Sequence, residues 1–290
     1  MFNTQDFLPG QSFDMKDVLI EVNKKQNPFT TLLLSKTVPA TAPHVQWMQE
    51  EINSASAVTM PEGGDAPAIQ KDSLYPKENW LELIGATAGV TNTAQASTAT
   101  GISDLLSHEV TKKTKAIKAQ FENRYLHGTG GGYDTASKTY KTNGILEQIH
   151  KDNRVTGADL QPDTFDETIE KLYLAGASDN MICFVPARMK KKINSFESVT
   201  YLASEKFLGF DIDRYDTVYG TVSFVLCEGL TDQLFVVNPD YLELAQLIPF
   251  HATVQSVSGS KMSVYLEEQA GVKLLNEKAA ASFAISTDAS

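Results

Sequence analysis

The 290-residue chain has few cysteines and histidines, the side chains that usually bind zinc or form disulfides. It contains only two cysteines, Cys183 and Cys227, and five histidines that are scattered along the chain. There is no His-x-x-x-His or Cys-x-x-Cys pair, and zinc sites normally need such closely spaced ligands. We therefore expect no metal site. Both cysteines lie in apolar runs, which favours buried thiols over a disulfide or a reactive site.

The motifs of nucleotide binding and acyl transfer are missing as well. No Gly-x-Ser-x-Gly elbow and no Gly-x-x-x-x-Gly-Lys-Ser/Thr loop is present. The run Gly128–Gly132 follows a predicted helix, whereas a phosphate-binding loop follows a strand, so we predict a turn there. Adjacent acids such as Glu50 and Glu51 point to opposite faces of a strand. We expect no catalytic and no cofactor-binding residues, and a soluble α+β enzyme stays only as an alternative that a convergent polar pocket would support.

Long hydrophobic runs and excess positive charge are also lacking. No apolar run approaches the ~20 residues of a membrane span, and the first residues lack the features of a signal peptide. The net charge is −11 and the sequence pI is about 4.9, so the surface repels phosphate backbones and anionic lipids. We predict a soluble globular protein that has no membrane partner and reads no DNA sequence. It is expected in a cytoplasm, or in a particle built there.

The most informative feature that is present runs from His44 to Gly128. The pattern predicts two strands, His44–Ile52 and Glu78–Thr91, separated by the loop Asn53–Lys77. A helix over Ile102–His127 follows, about 39 Å long at ~1.5 Å per residue. An isolated two-stranded hairpin is marginally stable in water. A chain with such a ribbon and such a helix needs neighbours, which indicates an assembly protein.

The predicted long helix has two different faces. Thr100 or Ser103 is its candidate N-cap. Its apolar residues form one narrow stripe: Ile102, Leu106, Val110, Ile117, Phe121 and Tyr125. The opposite face carries a lysine band: Lys112, Lys113, Lys115 and Lys118. This band is either a solvated surface or a face toward a neighbour or the lumen of a particle.

The regions on either side of this stretch differ in pattern. Asp14–Lys25 has helical periodicity, and residues 1–43 are interpreted as an arm with apolar contact points. After Gly132, strands and helices alternate. We predict a helix over Phe165–Ala175 opened by Thr164 and a buried strand over Met181–Val185. We predict a further helix that starts at Pro186, and further strands that start at about Thr221, Leu234, His251 and Met262.

The order of these elements resembles the major capsid protein of tailed double-stranded DNA bacteriophages, which has the Hong Kong 97-type fold. The resemblance covers nearly the whole chain. It is carried by Asn27-Pro28-Phe29 with Leu33 and Lys36, His44–Glu51, Glu62-Gly63-Gly64-Asp65, Gly101–His127, Asn143-Gly144-Ile145-Leu146, Val237-Asn238-Pro239-Asp240-Tyr241 with Leu244, and Ala270–Ala280. It implies an α+β fold with four parts: an N-terminal arm (1–43), an extended β-hairpin loop (44–99), a peripheral domain with a long spine helix (100–144 and 246–290), and an α/β axial domain (145–245).

The resemblance also implies a function and partners. The chain would be a major capsid subunit that self-assembles into an icosahedral or prolate shell around packaged double-stranded DNA. The implied partners are further copies in hexamers and pentamers, a portal and a possible decoration protein. A separate scaffolding protein is expected because only about 13 residues precede the first predicted helix. The location would be the virion, after assembly in the host cytoplasm. The residues expected at intersubunit contacts are Phe29, Leu33, Trp47, Glu62, Asp65 and Trp80.

An encapsulin-like nanocompartment is the main alternative, since it shares the fold but encloses enzymes. A groove for a cargo peptide, or a neighbouring cargo gene in place of terminase and portal genes, would distinguish it from a phage shell.

Overall fold

The computed structural model describes residues 27–51, 56–70, 72–97, 104–196, 201–207, 210–255 and 259–286. The helices are α1 (Pro28–Leu34), α2 (Asn92–Ala96), α3 (Leu105–His127), α4 (Ile145–Gln148), α5 (Pro162–Leu174) and α6 (Ala187–Ile193). The strands are β1 (Thr37–Pro39), β2 (His44–Glu51), β3 (Ser73–Trp80), β4 (Glu82–Thr91), β5 (Gly132–Asp134), β6 (Thr139–Lys141), β7 (Arg154–Gly157), β8 (Met181–Val185), β9 (Tyr201–Phe207), β10 (Phe210–Thr217), β11 (Gly220–Leu226), β12 (Gln233–Val237), β13 (Leu242–Val254), β14 (Lys261–Leu274) and β15 (Ala280–Ile285).

The largest sheet has seven strands in the order β7-β15-β12-β8-β11-β10-β9. The prediction of a buried strand over Met181–Val185 is confirmed, and all five residues of β8 are buried because the sheet is covered on both faces. Helices α5 and α6 cover one face, where Phe165, Ile169 and Met189 join the main hydrophobic core. Helix α5 begins at Pro162 rather than Phe165, since proline is favoured in the first turn.

Helix α1, which belongs to the described part of the predicted arm, covers the opposite face of this sheet. Phe29 contacts the rings of Phe184 and Phe235 edge-on, at centroid distances of 5.3 and 5.4 Å. Phe29 and Leu33 are fully buried in their own chain. They were expected to contact a neighbouring subunit, but their side chains have no accessible surface left to offer one. The predicted helix Asp14–Lys25 lies outside the described residues.

A buried carboxylate fixes the start of α1. Glu122 on α3 accepts hydrogen bonds from the Phe29 N–H (3.1 Å), the Thr30 N–H (2.6 Å) and the Thr30 hydroxyl (2.6 Å). The Cys227 thiol lies 3.7 Å from the same carboxylate. Burial raises the pKa of Glu122, and these hydrogen bonds partly offset that effect. The segment from Pro28 is therefore held to the body of its own subunit by both apolar and polar contacts.

A second sheet has four strands in the order β1-β13-β14-β4 and corrects the predicted return strand. The expected single strand Glu78–Thr91 is divided at Leu81 into β3, which pairs with β2, and β4, which belongs to this other sheet. Leu81 is fully buried, and its N–H donates to the Pro43 carbonyl (2.8 Å). The local sequence could not show the division, because it depends on this tertiary burial.

The C-terminal boundary of the expected axial domain also needs correction. Strand β15 pairs with β12 and β7 inside the seven-stranded sheet. Residues 280–285 therefore share a core with 145–245 instead of belonging to a separate peripheral part. Phe283 is fully buried in that core.

The chain divides into two compact units. Among the described residues, one unit contains 84–97, 104–119, 250–255 and 259–268. Here Asp104 accepts hydrogen bonds from the Leu106 and Ser107 N–H groups, so it caps α3. The predicted caps Thr100 and Ser103 lie outside the described residues. The other unit contains the seven-stranded sheet, α1 and the β2–β3 hairpin.

Candidate assembly surface

The β2–β3 hairpin is the feature that the sequence analysis assigned to assembly. Its ladder runs without interruption from the pair His44–Trp80 to the pair Glu51–Ser73. Because side chains alternate across a strand, Val45, Trp47 and Gln49 share one face. These three are half-buried, whereas the alternate residues of β2 are exposed from Gln46 onward. The hairpin thus has one face on its own subunit and one face in solvent.

A buried asparagine anchors the base of the hairpin. The Asn79 amide donates to the Val272 carbonyl (2.6 Å) and to the Asn143 carbonyl (3.0 Å), and its side-chain oxygen accepts from the Asn143 N–H (2.9 Å). Beside it, the Trp80 ring stacks on His44 at 4.2 Å and on Tyr140 at 5.8 Å. Sequence analysis missed Asn79, although asparagine is uncommon in strands and could have indicated a structural role.

Polar contacts hold the middle of the hairpin to the segment that follows β14. The Gln49 amide donates to the Leu275 carbonyl (2.8 Å), and Lys77 forms a 2.6 Å ion pair with Glu277. Lys278 forms a longer pair with Glu51, at 3.2 Å. Lys273 lies 5.6 Å from the centre of the Trp47 ring. The inward face therefore packs on its own chain. The expected contact residues Trp47 and Trp80 are half-buried by these contacts within the subunit.

The outward face of the hairpin carries an exposed apolar group. Met48 lies opposite Pro76, and Leu74 lies opposite Glu50 on the same face. Met48 is 71% exposed and Leu74 is 64% exposed. Exposed apolar side chains that cluster in this way mark interaction surfaces in soluble proteins. We refer to Met48, Leu74 and Pro76 as the outer hairpin patch.

The loop between the two strands extends this exposed surface. Its described residues 57–70 are all exposed, including the expected contact residues Glu62 and Asp65. Three large apolar side chains lie among them: Val58, Met60 and Ile69. Ile69 is 97% exposed, so the loop contributes almost nothing to the core of its own subunit. This arrangement leaves both its acids and its apolar residues available to a partner.

A cleft of about 920 Å³ lies beside the hairpin. Its apolar lining includes Met48, Tyr75 and Leu174, and its charged lining includes Glu50 and Asp240. Leu174, at the end of α5, is strongly exposed. Because Met48 belongs both to the cleft and to the outer hairpin patch, the two form one continuous surface.

The described residues offer little reactive chemistry. Within them, no three His, Cys, Asp or Glu side chains are grouped to hold a metal ion. Cys183 and Cys227 are buried free thiols, and burial raises the pKa of Cys227 to about 12. At that pKa the reactive thiolate is scarce at neutral pH. None of the helices in the described ranges has the length and apolarity that a bilayer crossing requires.

Comparison with known proteins identifies the family of the chain. The family model described as SU10 major capsid protein matches residues 2–287. The chain belongs to the SU10 major capsid protein family. It is a major capsid protein, a subunit of a homo-oligomeric shell whose place is the virion. This family membership indicates a structural protein rather than an enzyme. No curated protein matches the chain.

Solved structures show the fold of this major capsid protein. The capsid of a native GTA particle matches at a TM-score of 0.64 and 11% identity, covering 96% of this chain and 97% of that chain. Mycobacterium phage Bobi matches at a TM-score of 0.64 and 12% identity, covering 96% of both chains. The SrpI encapsulin of Synechococcus elongatus PCC 7942 matches at 0.62 and 10% identity, covering 94% of this chain and 92% of that chain. The predicted Hong Kong 97-type fold is confirmed.

Proposed function

We propose that this major capsid protein closes its shell with the β2–β3 hairpin, whose outer patch and loop 56–70 clamp a neighbouring copy. The observation that carries the proposal is the exposure of this apolar surface on a hairpin that is anchored at its base by Asn79. A rigid base with an exposed loop suits an element that reaches across a subunit boundary. A specific interface typically buries about 1,200–2,000 Å² in total, which an extended hairpin lying across a neighbour could supply.

The proposal includes the composition of the particle. Hexamers and pentamers of this chain form an icosahedral or prolate shell around double-stranded DNA, which is enclosed without recognition of its sequence. A separate scaffolding protein directs assembly in the host cytoplasm, a portal occupies one vertex, and a decoration protein can cover the outside. The family assignment and the acidic net charge of −11 support this proposal. Glu62, Asp65 and the solvent-facing parts of Trp47 and Trp80 are its contact residues.

A loop replacement tests the clamp. Glu51 and Ser73 form the last pair of the ladder, so a short Gly-Ser turn can join them in place of residues 52–72 without changing the register. We expect a folded, soluble subunit with near-native circular dichroism, because the described loop buries no side chain. We expect this variant to form no closed shells in sedimentation and negative-stain microscopy. Shells formed as efficiently as by the parent would refute the clamp.

A matched pair of point variants sharpens the test. Ile69→Ser removes the most exposed apolar side chain among residues 56–70 of the loop, whereas Val218→Ser removes one that is 96% exposed in the turn between β10 and β11. Neither change should alter the free energy of unfolding of the subunit by more than about 0.5 kcal/mol, since both side chains are in solvent. Ile69→Ser should raise the protein concentration needed for assembly, and Val218→Ser should not. Equal effects of the two variants would contradict a specific role for the loop.

A second candidate function is a shell that encloses protein cargo, and the similarity to an encapsulin structure favours it. Nucleic acid recovered from shells produced together with their portal and packaging proteins would support the phage function. Shells that retain only an enzyme bearing a short docking peptide would favour the second candidate.

A further inference from the structure

We propose that the exposed lysine face of α3 lines the lumen of the shell and binds the phosphate backbone of the enclosed DNA without sequence preference. This inference rests on the proposed function, because it requires a shell that contains DNA. The face consists of Lys112, Lys115 and Lys118, with His108 one turn before Lys112, and we call it the lysine face. It opposes the apolar stripe of the same helix, in which Ile117 is buried.

The spacing of the lysines follows from helix geometry. Residues 112, 115 and 118 are three apart, so their side chains lie on one side of α3 and are separated by about 4.5 Å along its axis. The three side chains are exposed. Thr111 and Ala119 lie beside them on the same side and are too small to shield them. The lysine face therefore presents three ammonium groups over about 9 Å of helix.

The local charge differs in sign from that of the whole chain. The chain carries a net charge of −11, yet no aspartate or glutamate occurs between Glu109 and Glu122. Over the same interval the sequence contains four lysines. Since exposed charges are screened beyond about 8 Å at physiological ionic strength, a phosphate at this face responds mainly to the charges within that distance, which include these lysines.

Lys112 forms an ion pair with a carboxylate of its own helix. Lys112 lies 2.9 Å from Glu109, and this contact lowers the pKa of the Glu109 carboxyl. The Lys112 side chain is 58% exposed, and ion pairs at such exposed sites are worth about 0–1 kcal/mol. A phosphate can therefore compete with Glu109 for Lys112. Lys115 and Lys118 are also exposed, so all three ammonium groups are within reach of an approaching polyanion.

Charge complementarity identifies a nucleic-acid backbone as the partner. Duplex DNA carries one negative charge per ~1.7 Å of its axis, so about five phosphate charges lie along the 9 Å of the lysine face. Lysine binds phosphate as a point charge and imposes no base preference. An acidic segment of another protein has the same sign of charge, and measurements of DNA binding and shell formation on the same variants distinguish the two.

The test compares two triple variants of the full-length chain with the same change in net charge. Lys112→Gln/Lys115→Gln/Lys118→Gln removes the lysine face. Lys151→Gln/Lys191→Gln/Lys261→Gln removes three other exposed lysines and is the control. A third variant, Lys112→Arg/Lys115→Arg/Lys118→Arg, keeps the positive charge. The probe is a short DNA duplex of arbitrary sequence, whose dissociation constant is measured at about 50 and 200 mM salt.

Each lysine that neutralises a phosphate adds about 0.9 to the slope of log K against log salt concentration. Because the glutamine variant has no ammonium groups on this face, we expect the affinity of the parent to fall about 40-fold more over this salt range than that of the variant. The control and the arginine variant should behave like the parent. Shells of the glutamine variant recovered from cells should also contain less nucleic acid than shells of the control.

Two results would overturn the inference while leaving the shell function intact. One is a glutamine variant that assembles shells and has the same salt dependence and nucleic-acid content as the control. The other is a glutamine variant that binds DNA like the parent but fails to form shells, which would make the lysine face a protein–protein contact. Failure of the parent itself to form any shell would instead contradict the proposed function.

Discussion

Phe29→Ala tests whether α1 belongs to the core of its own subunit. The Phe29 ring is fully buried and makes edge-on contacts with Phe184 and Phe235, which themselves stack at 5.0 Å. If the segment docked on a neighbouring copy, the change would weaken assembly and spare the free subunit. If it docks on its own sheet, the change must destabilise the free subunit. The two interpretations therefore differ in a property of the unassembled chain.

The structure sets the size of the effect. A buried phenylalanine removes about 150–250 Å² from water, at about 25 cal/mol per Å². Alanine recovers part of that burial, but it cannot make the two edge-on ring interactions. Replacement of a buried phenylalanine by alanine typically costs about 3–5 kcal/mol. We expect about 4 kcal/mol here, because the ring lies against β8 and β12, which pair on both sides within the seven-stranded sheet and therefore cannot collapse far into the cavity.

Urea unfolding of unassembled subunits, followed by circular dichroism, measures this destabilisation. The midpoint should fall while the slope with urea stays near that of the parent, since the same surface is exposed on unfolding. Leu34→Ala is the control in the same helix, because Leu34 is 46% exposed and its replacement should cost much less. A Phe29→Ala subunit as stable as the Leu34→Ala subunit would refute docking of α1 on its own sheet.

Two further predictions concern the buried polar anchors. Asn79→Ala should cost about 2–4 kcal/mol in the free energy of unfolding, because the Val272 and Asn143 backbone groups are left without a buried partner; urea melts that match the parent would contradict the anchoring of the hairpin. Because burial raises the pKa of Glu122 above 4.5, the stability conferred by its protonated form is present below pH 4.5 and is lost as the pH rises through the raised pKa. The parent should therefore gain stability relative to Glu122→Gln as the pH falls from neutrality towards 4.5, and a series of urea midpoints that shows the opposite trend would contradict this.

Local chemistry explains the elements that the sequence predicted well. Strand β8 is a continuous apolar run that ends at Pro186, and its bounds are as predicted. The end of α3 at His127 is also as predicted, because Gly128 follows. A side chain at Gly128 would place its Cβ 2.4 Å from the Thr142 carbonyl oxygen, so the site requires glycine. Both signals are contained in a few neighbouring residues.

Long-range contacts explain the parts that sequence analysis got wrong. The segment around Phe29 is short and flanked by polar residues, which is compatible with an arm until its contacts with β8 and β12 are known. The break at Leu81 and the placement of β15 beside β7 likewise depend on partners far away in the chain. The same distinction holds for the candidate site. Local turn chemistry predicts the exposed acids of the loop, whereas the role of Asn79 depends on contacts with residues far away in the chain.

The hairpin must remain soluble in the free subunit and must also offer an apolar surface to a neighbouring copy, two requirements that normally conflict. A two-stranded ribbon with exposed apolar residues invites non-specific pairing, and natural proteins limit this with charges and prolines on the strands. Here Glu50 and Glu78 flank the outer hairpin patch, and Pro76 removes one backbone donor from β3. These residues oppose strand addition to the free subunit, whereas side-chain contacts by Met48 and Leu74 remain available to a neighbour of the right shape. A subunit built in this way can stay soluble alone and still offer an apolar surface, which is what assembly from a soluble pool of subunits requires.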